Sequence, residues 1–428
     1  MVCNKKVFLI DKTRLITLFL YCAPIVDVFI GISMGRTGED SLLGKVYRSA
    51  FLIVLVCVYF AAKPTKIKAR NLFVFLSLAV VIYPFIHVLT NQDASGFITD
   101  VMQGTKLVYP IVLYEASVQV SKQEGNDSTE FSKVLDFFCW FYATSVLVPY
   151  ILGVGYKAYE TSDAGYRGFY SSANELSIVL VCMYIYSLYK LIMTPSLGGV
   201  VNVGVNFFAT ILTGTKVGMI MIVVGSVVVL LLVKKNSSVI KGLVLFALFF
   251  SIGCILFYDY VAQIVDESMQ MIEFKYKQLD VDFVSFMLSL RNYRIIPQIN
   301  MFYQESNYAF LNLIFGVGYA EQWKRGVTTI GYGITEMDWF DVLFQHGIVM
   351  LMIVFCFYVR PLQGMILKKN TQWIIRFLIL IMLIYGTLAG HTIQFTLPST
   401  ILSVLMIINY QECNQKNENS CGNKYVSV

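Results

Sequence analysis

Four basic side chains lie beside long apolar runs or in the polar stretches between them: Arg167, Lys216, Arg291 and Arg294. Arg291 and Arg294 are three residues apart, so they share a face if residues 282–303 form a helix. Guanidinium groups bind phosphate through paired donors. The four cations are therefore suited to binding a multiply charged anion.

Three carboxylates occur where the stretch TEMDWFDVLFQHGIVM enters an apolar run: Glu336, Asp338 and Asp341. On a helix, Asp338 and Asp341 share one face, and Asp341 lies about one turn inside the run. A carboxylate there is costly unless it faces a polar cavity or a cation, so we expect Asp341 to pair with Lys216 or Arg291. A carboxylate at the boundary can deprotonate a hydroxyl group. We therefore rank Glu336 and Asp338 above Asp341 as the base.

The same residues also have structural interpretations. Ser172, with Glu175 three residues later, fits a capping box, which explains the polar run GYRGFYSSANELS before the next apolar stretch. Asp338 resembles a helix cap, because acids are favourable at the start of a helix. Arg167 and Lys216 are also typical of basic residues that contact lipid headgroups or extend to the membrane surface.

The composition indicates that these residues are positioned by membrane helices. The chain has 428 residues, of which 57% are hydrophobic and 14% are charged. Soluble domains carry about 25% charged residues. Several apolar runs reach the roughly 20 residues that cross a bilayer, and the alternation typical of a membrane β-barrel is missing. The sequence therefore predicts an all-α, polytopic membrane protein.

We predict about twelve transmembrane helices. Their ranges are 15–32, 46–62, 71–90, 105–120, 131–152, 174–193, 198–213, 216–233, 239–257, 338–358, 372–390 and 393–410. Basic residues set the orientation. With a cytoplasmic N-terminus, the basic segments KPTKIKAR and KKNSSVIK face the cytoplasm. This arrangement requires a tight outer turn at Gly214, Thr215 and Lys216.

The predicted organisation has four parts. Residues 1–257 hold helices 1–9, residues 258–337 form a large, partly helical extracytoplasmic loop, residues 338–410 hold helices 10–12, and residues 411–428 form a cytoplasmic tail. The nine cysteines avoid the predicted outer loops, and the three histidines are scattered. We therefore predict no disulfide framework, no metal site and no cofactor. The net charge of +6 reflects the cytoplasmic basic segments and does not indicate nucleic acid.

The order of these motifs resembles a known family. A stretch RGFYSSANELS is followed by LTGTKVG, by RNYRIIPQINMF and NLIFGVGYA in the long loop, and by DWFDVLFQHGIVMLM. This arrangement is similar to the Wzy polymerases of bacterial O-antigen and capsule and to the related O-antigen ligases. The resemblance covers about residues 160–360, and the remainder matches by topology alone.

The resemblance implies a membrane glycosyltransferase on the outer face of the bacterial cytoplasmic membrane, with both termini cytoplasmic. Such enzymes join oligosaccharide repeat units linked to undecaprenyl diphosphate into a capsule, O-antigen or exopolysaccharide. In such a reaction arginine charge takes the place of a metal ion, so the transfer is expected to be independent of metal. Direct displacement is expected to invert the anomeric centre of the donor sugar. The implied partners are the lipid-linked donor and acceptor, membrane lipids, and a flippase and a chain-length regulator.

The resemblance also implies roles for individual residues. Arg167 and Arg291 match the important arginines of two outer loops, and Lys216 stands where many relatives have arginine in a TGSR stretch. Many relatives have histidine eleven residues before the glycine of the closing helix, where this chain has Glu336. The predicted catalytic residues are Glu336, Asp338, Arg291 and Arg167, and the predicted substrate-binding residues are Lys216, Arg294, Asp341 and Asn174.

Two alternatives and one further expectation remain. A ligase would transfer a finished glycan to another acceptor, and the absence of the family histidine favours a polymerase over it. A flippase would need charges along a central path, whereas ionisable residues inside the spans are few: Asp27, His87 and Glu115. Aromatic residues of the loop can stack on sugars or form an interfacial belt; they are Tyr276, Tyr293, Tyr303, Tyr308 and Trp323.

Overall fold

The computed structural model describes residues 11–37, 42–124, 129–158, 165–233, 288–362 and 373–425, with isolated positions between 240 and 285. Most of the predicted ninth helix and the first part of the predicted long loop lie outside the described residues, as does Tyr276. The described chain is mainly helical and includes one short β-hairpin.

The first half of the chain forms consecutive helices joined by short turns. They are α1 Lys12–Thr37, α2 Leu42–Ala61, α3 Lys66–Ser77, α4 Tyr83–Asn91, α5 Phe97–Glu124, α6 Thr129–Ile151, α7 Ala173–Met193, α8 Leu197–Leu212 and α9 Lys216–Leu232. A π-helical turn, Leu78–Ile82, joins α3 to α4. Between α6 and α7, strands β1 (Tyr156–Lys157) and β2 (Tyr166–Gly168) pair antiparallel.

The second half begins with short helices and ends with long ones. A 3₁₀ turn, Arg291–Arg294, is followed by α10 Ile295–Ile299, α11 Ala309–Phe315, α12 Tyr319–Ile330, α13 Asp338–Val359, α14 Trp373–Ala389 and α15 Thr396–Tyr425. α15 continues without a break from the predicted last span into the predicted tail, residues 411–428.

The helices confirm a polytopic, all-α membrane fold. Among the described residues, six helices are long and apolar enough to cross a membrane: α1, α2, the joined α3 and α4, α6, α7 and α13. α8, α9 and α14 are apolar but shorter. Each predicted span that lies in the described chain coincides with a helix. The total of twelve crossings stays a prediction.

Serine and threonine side chains cap the starts of several helices. Thr65, Ser172, Ser196 and Thr215 each accept the backbone N–H three residues later. This satisfies a donor that the helix leaves unpaired. Gly214, with φ +65°, completes the short turn between α8 and α9. The predicted turn at residues 214–216 therefore separates two helices instead of interrupting one.

α7 is the central helix of the bundle. Over its most apolar stretch, 83% of the residues are buried, because α6, α8, α9, α14 and α15 all pack against it. Gly225 of α9 leaves space for Ile185 of α7. Tyr184 and Ser226 share a hydrogen bond of 2.8 Å across the same pair of helices. α7 is therefore packed closely among its neighbours.

A break at Gly347 divides α13, which the sequence predicted as one continuous span. Gly347 has φ +72° and ψ 178°, values that residues with a Cβ adopt with strain. The break frees the carbonyls of Phe344 and Gln345. These accept hydrogen bonds of 2.8 and 3.1 Å from the N–H groups of Val317 and Gly318. The break thus joins residues 316–318 to the bundle.

The two ends of the bundle are chemically distinct. Asp100, in the first turn of α5, accepts a hydrogen bond of 2.9 Å from the N–H of Ala320, so α5 begins at the end where residues 288–337 lie. We call this the loop end. Lys122 is 22 residues further along α5, about 33 Å away at 1.5 Å per residue. We call that side the opposite end.

The predicted orientation can be tested by cysteine labelling of intact cells. Thr329 is exposed at the loop end, and Lys63 is exposed between α2 and α3. We expect a membrane-impermeant thiol reagent to label Thr329→Cys in intact cells, and Lys63→Cys only after permeabilisation, each measured above the background of the parent chain. Labelling in the reverse order would invert the orientation.

Candidate functional site

A 3₁₀ turn presents two arginines on one side of the segment that follows residue 288. Ser289 and Leu290, with φ of +52° and +63°, turn the chain into the helix Arg291–Arg294. A 3₁₀ helix has three residues per turn, so Arg291 and Arg294 point the same way. α10 and a π-helical turn extend this helix to Gln304.

Both arginines bind one carboxylate, Glu336. The Nε and Nη2 atoms of Arg291 lie 3.1 and 2.9 Å from Oε2 of Glu336. Nη1 of Arg294 lies 3.0 Å from Oε1. His391, from the loop between α14 and α15, places its Nε2 atom 3.9 Å from Oε2. We call Arg291, Arg294, Glu336 and His391 the Glu336 cluster.

The carboxylate is the accessible member of the Glu336 cluster. The side chain of Glu336 is 31% exposed, against 9% for Arg291 and 13% for Arg294. The guanidinium of Arg294 lies 4.1 Å from the ring centre of Tyr332 and donates to the carbonyl of Ile334 at 3.5 Å. A ligand that reaches the cluster therefore meets the carboxylate and the arginine edges around it.

Two members of the cluster have unusual backbone conformations. Glu336 has φ +57° and His391 has φ +65°, in the left-handed region that favours glycine. Each such residue costs about 1–3 kcal/mol and persists only where its surroundings hold it, often at a functional site. The two segments support each other, since Gly390 packs against the backbone of Glu336.

Electrostatics keep Glu336 ionised. Burial on its own favours the protonated carboxyl group. The interaction with His391 and the charges of Arg291 and Arg294 outweigh it and hold the pKa of Glu336 well below its usual value. The stability from this lowered pKa is present above the usual pKa of about 4.3 and is lost as the pH falls below it. Two guanidinium charges against one carboxylate leave the cluster net positive, which suits an anion.

Asp338 anchors the segment that carries His391. It is only 1% exposed, and its Oδ2 atom accepts hydrogen bonds of 2.8 Å from the backbone N–H groups of both Thr392 and Ile393. The cap residue of α13 is Met337, which makes no side-chain cap bond. The interpretation of Asp338 as a helix cap is therefore wrong: its carboxylate binds another segment and places His391 beside Glu336.

We expect Asp338→Ala to destabilise the protein. It would leave two buried N–H groups unpaired, at about 1–3 kcal/mol each. Thermal unfolding in detergent measures the loss. Asp338→Asn keeps an acceptor oxygen, so we expect it to stay close to the wild type in both stability and the glycan transfer that the resemblance implies. A well-folded Asp338→Asn protein without transfer would place Asp338 in the chemistry itself.

The sequence predicts that Asp341 pairs with Lys216 or Arg291, but in the structure neutral groups bind its carboxylate. Its Oδ1 atom accepts from the backbone N–H and the hydroxyl of Thr335 at 2.8 and 2.7 Å, and from Nε2 of Gln322 at 3.0 Å. Its Oδ2 atom accepts from the N–H of Met337 at 3.2 Å. Asp341, 2% exposed, therefore closes the turn before α13.

A chain of buried amides continues from Asp341 across the bundle. The bonds run from Gln103 to Gln394 at 3.5 Å, from Gln394 to Gln345 at 2.9 Å, from Gln345 to Gln322 at 2.9 Å, and from Gln322 to Gln298 at 2.7 Å. The chain ties the loop segment and α12 to α5 and α13. Such buried networks fix one arrangement when their members are paired.

A buried histidine–aspartate pair holds the glycine-rich stretch FGVGYA. His87 Nδ1 lies 3.0 Å from Asp100, and Nε2 lies 3.0 Å from the carbonyl of Phe315. Asn91 donates to the carbonyl of Val317 at 2.8 Å. Gly318, with φ +84°, has no space for a Cβ beside Asp100. His87 therefore attaches the loop to the bundle.

Arg167 lies in the β-hairpin and binds the local backbone. Its Nε atom donates to the carbonyl of Lys157 at 3.2 Å, its Nη1 atom donates to the carbonyl of Ser171, and its guanidinium lies 5.6 Å from the ring centre of Tyr156. Gly165 of the hairpin packs against the carbonyl of Thr213, at the turn before α9. The hairpin thus lies beside the turn that carries Lys216.

The start of α7 links the hairpin side to the Glu336 cluster. Ser177 shares a hydrogen bond with Thr215, the residue before Lys216. The carbonyl of Asn174 accepts a hydrogen bond of 3.2 Å from Tyr385 of α14. Glu175 is within electrostatic reach of His391. The turn that carries Lys216 and the segment that carries His391 therefore both lie near the start of α7.

Several loop aromatic residues are available to a ligand. Tyr293, Tyr308 and Trp323 are 54%, 41% and 48% exposed. Tyr303 instead packs on Phe344, with ring centres 5.8 Å apart. The expected role of the exposed rings in stacking on sugars stays a prediction.

His391 is the site residue that sequence reasoning missed. The three histidines are scattered along the sequence, and nothing around His391 resembles a motif. The one available signal was its position after Gly390, in a short gap between two apolar runs at the same predicted membrane face as Glu336. The sequence explains Glu175 only as part of a capping box, whereas the structure also brings it within electrostatic reach of His391.

Comparison with known proteins gives one family. A family model described as O-antigen ligase like membrane protein matches residues 11–273. The match includes the hairpin with Arg167 and the turn with Lys216, and it ends before the Glu336 cluster. No curated protein matches the chain.

Proposed function

This chain belongs to the O-antigen ligase like membrane protein family, and from that premise we propose that it polymerises glycan repeat units linked to undecaprenyl diphosphate. The product would be a surface polysaccharide assembled at the outer face of the bacterial cytoplasmic membrane. The growing chain would be transferred from its lipid diphosphate onto the next lipid-linked unit.

The observation that carries this proposal is the Glu336 cluster. Arg291 and Arg294 converge on one partly exposed carboxylate at the loop end of a membrane bundle. A lipid-linked diphosphate presents its charge at this depth, where the hydrocarbon ends and water begins. Guanidinium groups bind phosphate through paired donors. The cluster therefore offers an anion site and a proton acceptor within one set of contacts.

In the proposed reaction, an acceptor hydroxyl attacks the anomeric carbon of the donor sugar. The bond from that carbon to the diphosphate oxygen breaks as the new glycosidic bond forms, which inverts the anomeric centre. Arg291 and Arg294 stabilise the negative charge that develops on the leaving diphosphate. This arginine charge takes the place of a metal ion in the proposed mechanism.

Glu336 is the proposed acceptor of the hydroxyl proton. In the free protein, His391 and the two arginines keep the pKa of Glu336 low and its basicity weak. A bound diphosphate would share the charges of Arg291 and Arg294, which weakens their stabilisation of the carboxylate and raises its pKa. The substrate would thus make Glu336 basic at the moment when a base is needed.

We place Arg167, Lys216 and Asn174, which lie near the start of α7, on the approach of the glycan to the site. Their proposed role is to bind the donor or the acceptor beyond the diphosphate. The flippase and the chain-length regulator implied by this class of reaction would supply the repeat unit and limit the polymer.

A ligase that transfers a finished glycan to a separate acceptor is the second candidate. The name of the matching family model favours it, and His391 removes one argument against it. The sequence has glutamate where many relatives have histidine, but His391 brings an imidazole to within 3.9 Å of that glutamate. The missing histidine therefore does not separate the two activities.

A flippase fits the charges of the bundle less well. Transport of a charged headgroup needs polar groups along a central path. Asp27 pairs with Arg48 at 3.1 Å, and His87 pairs with Asp100 at 3.0 Å. These pairs use the charges to hold helices together, whereas the cluster with an accessible carboxylate lies at the loop end.

The choice of acceptor tests the proposal. Purified protein would be offered lipid-linked repeat units together with a separate lipid-anchored acceptor, and the products would be identified by mass spectrometry. We expect multiples of the repeat unit on undecaprenyl diphosphate, with the new linkage inverted. Transfer to the separate acceptor alone would show a ligase instead.

A further inference from the structure

A second charged cavity lies at the opposite end of the bundle, far from the Glu336 cluster. It has a volume of about 840 Å³ and opens between α2, α3, α5, α13 and α15. Its basic lining residues are Lys68, Arg70, Lys122 and Arg360, and its one acidic residue is Glu115. The charged residues of the lining therefore sum to a net positive charge.

Two of these cations interact with each other. Lys68 and Lys122 line the same cavity, within electrostatic reach of each other. Lys122 also lies over the ring of Tyr410, with its Nζ atom 5.6 Å from the ring centre. Two ammonium groups in one cavity repel each other, and an anion bound between them would relieve the repulsion.

One wall of the cavity is apolar and partly exposed. Val74 and Ile353 are 48% and 39% exposed, on helices that are long and apolar enough to cross a membrane. Phe75 and Phe357 complete this side of the lining. A ligand in the cavity would thus place its charged part among the lysines and its apolar part against surfaces that lie in the bilayer.

We propose that this cavity binds the headgroup of an acidic membrane phospholipid, with its acyl chains along Val74 and Ile353. Basic pockets between transmembrane helices suit such headgroups. A lipid with two phosphates matches the net positive charge best. The exposed apolar walls favour a lipid over a soluble phosphate, which would leave those walls unused. This site is independent of the proposed glycan transfer.

Native mass spectrometry of the full-length protein tests the site. The protein in detergent would be titrated with cardiolipin, which carries two phosphates, and with phosphatidylcholine as a neutral lipid. We expect one cardiolipin to bind in preference to phosphatidylcholine. Lys68→Gln with Lys122→Gln should weaken cardiolipin binding about 25-fold, since each lysine near an anionic headgroup contributes about fivefold. Lys68→Arg with Lys122→Arg keeps both charges and should therefore keep the binding, and the Lys68→Gln with Lys122→Gln protein should show the same thermal unfolding as the wild type.

Two control measurements distinguish a specific lipid site from diffuse surface attraction and from a site for soluble phosphate. Lys63→Gln with Lys66→Gln removes the same charge from the same end of the bundle but outside the cavity, and it should leave binding unchanged. An equal loss in this control would mean diffuse surface attraction and would overturn the site. Inorganic diphosphate should compete weakly. Competition as strong as that of cardiolipin would reassign the cavity to a soluble phosphate compound.

Discussion

Arg291→Ala is expected to lower the rate of glycan transfer by about 10³-fold, near the upper range for loss of one group that stabilises developing charge. Arg291 makes two of the three arginine contacts to Glu336 and is 7% exposed overall, so no other side chain can move into its place without rearrangement. Arg291→Lys should restore little, because lysine lacks the planar pair of donors. Polymer formed by purified protein provides the measurement.

Arg325→Ala is the matched control. Arg325 belongs to the same loop end, but it pairs with Glu321 on the surface of α12 and its side chain is 43% exposed. We expect its loss to leave transfer unchanged. Nearly full activity of a folded Arg291→Ala protein would remove the Glu336 cluster from the reaction.

Glu336→Gln should reduce transfer by about 10²–10⁴-fold, the usual contribution of a general base. The amide keeps the shape of the side chain and removes both its charge and its basicity. The two arginines would then have no carboxylate to compete with a diphosphate for them. We therefore expect lipid-linked substrate to bind at least as tightly as in the wild type while transfer is lost, as measured by substrate binding and single-turnover product.

Glu321→Gln serves as the control. Glu321 is another carboxylate of the same loop segment, and it pairs with Arg325. Its loss should affect neither binding nor transfer. Weak binding by Glu336→Gln with an undiminished rate at saturating substrate would assign Glu336 to substrate binding, and another group would have to accept the proton.

The helices could be predicted from the sequence because each is a long apolar run between polar turns. α7 is the clearest case, since Ser172 marks its start and almost every following residue is apolar. The break in α13 could not be predicted this way. It depends on Gly347 and on N–H groups of residues 317 and 318, and hydropathy contains no information on such distant partners.

The arginines of the site could be predicted from their type and spacing, but their partner could not. The pairing of Arg291 and Arg294 with Glu336 joins residues more than 40 positions apart. His391 arrives from a further segment, and it is placed there by Asp338. Sequence alone assigned Asp338 to a cap and Asp341 to a cation, because both interpretations use only near neighbours or charge.

The most direct test of the account is one reaction with purified protein, lipid-linked repeat units, and neither nucleotide nor added metal, with products separated by size. We predict a ladder of polymer from the wild type and no ladder from an equal amount of folded Glu336→Gln protein. A ladder of equal length and rate from both proteins would contradict the central claim that polymer is made at the Glu336 cluster.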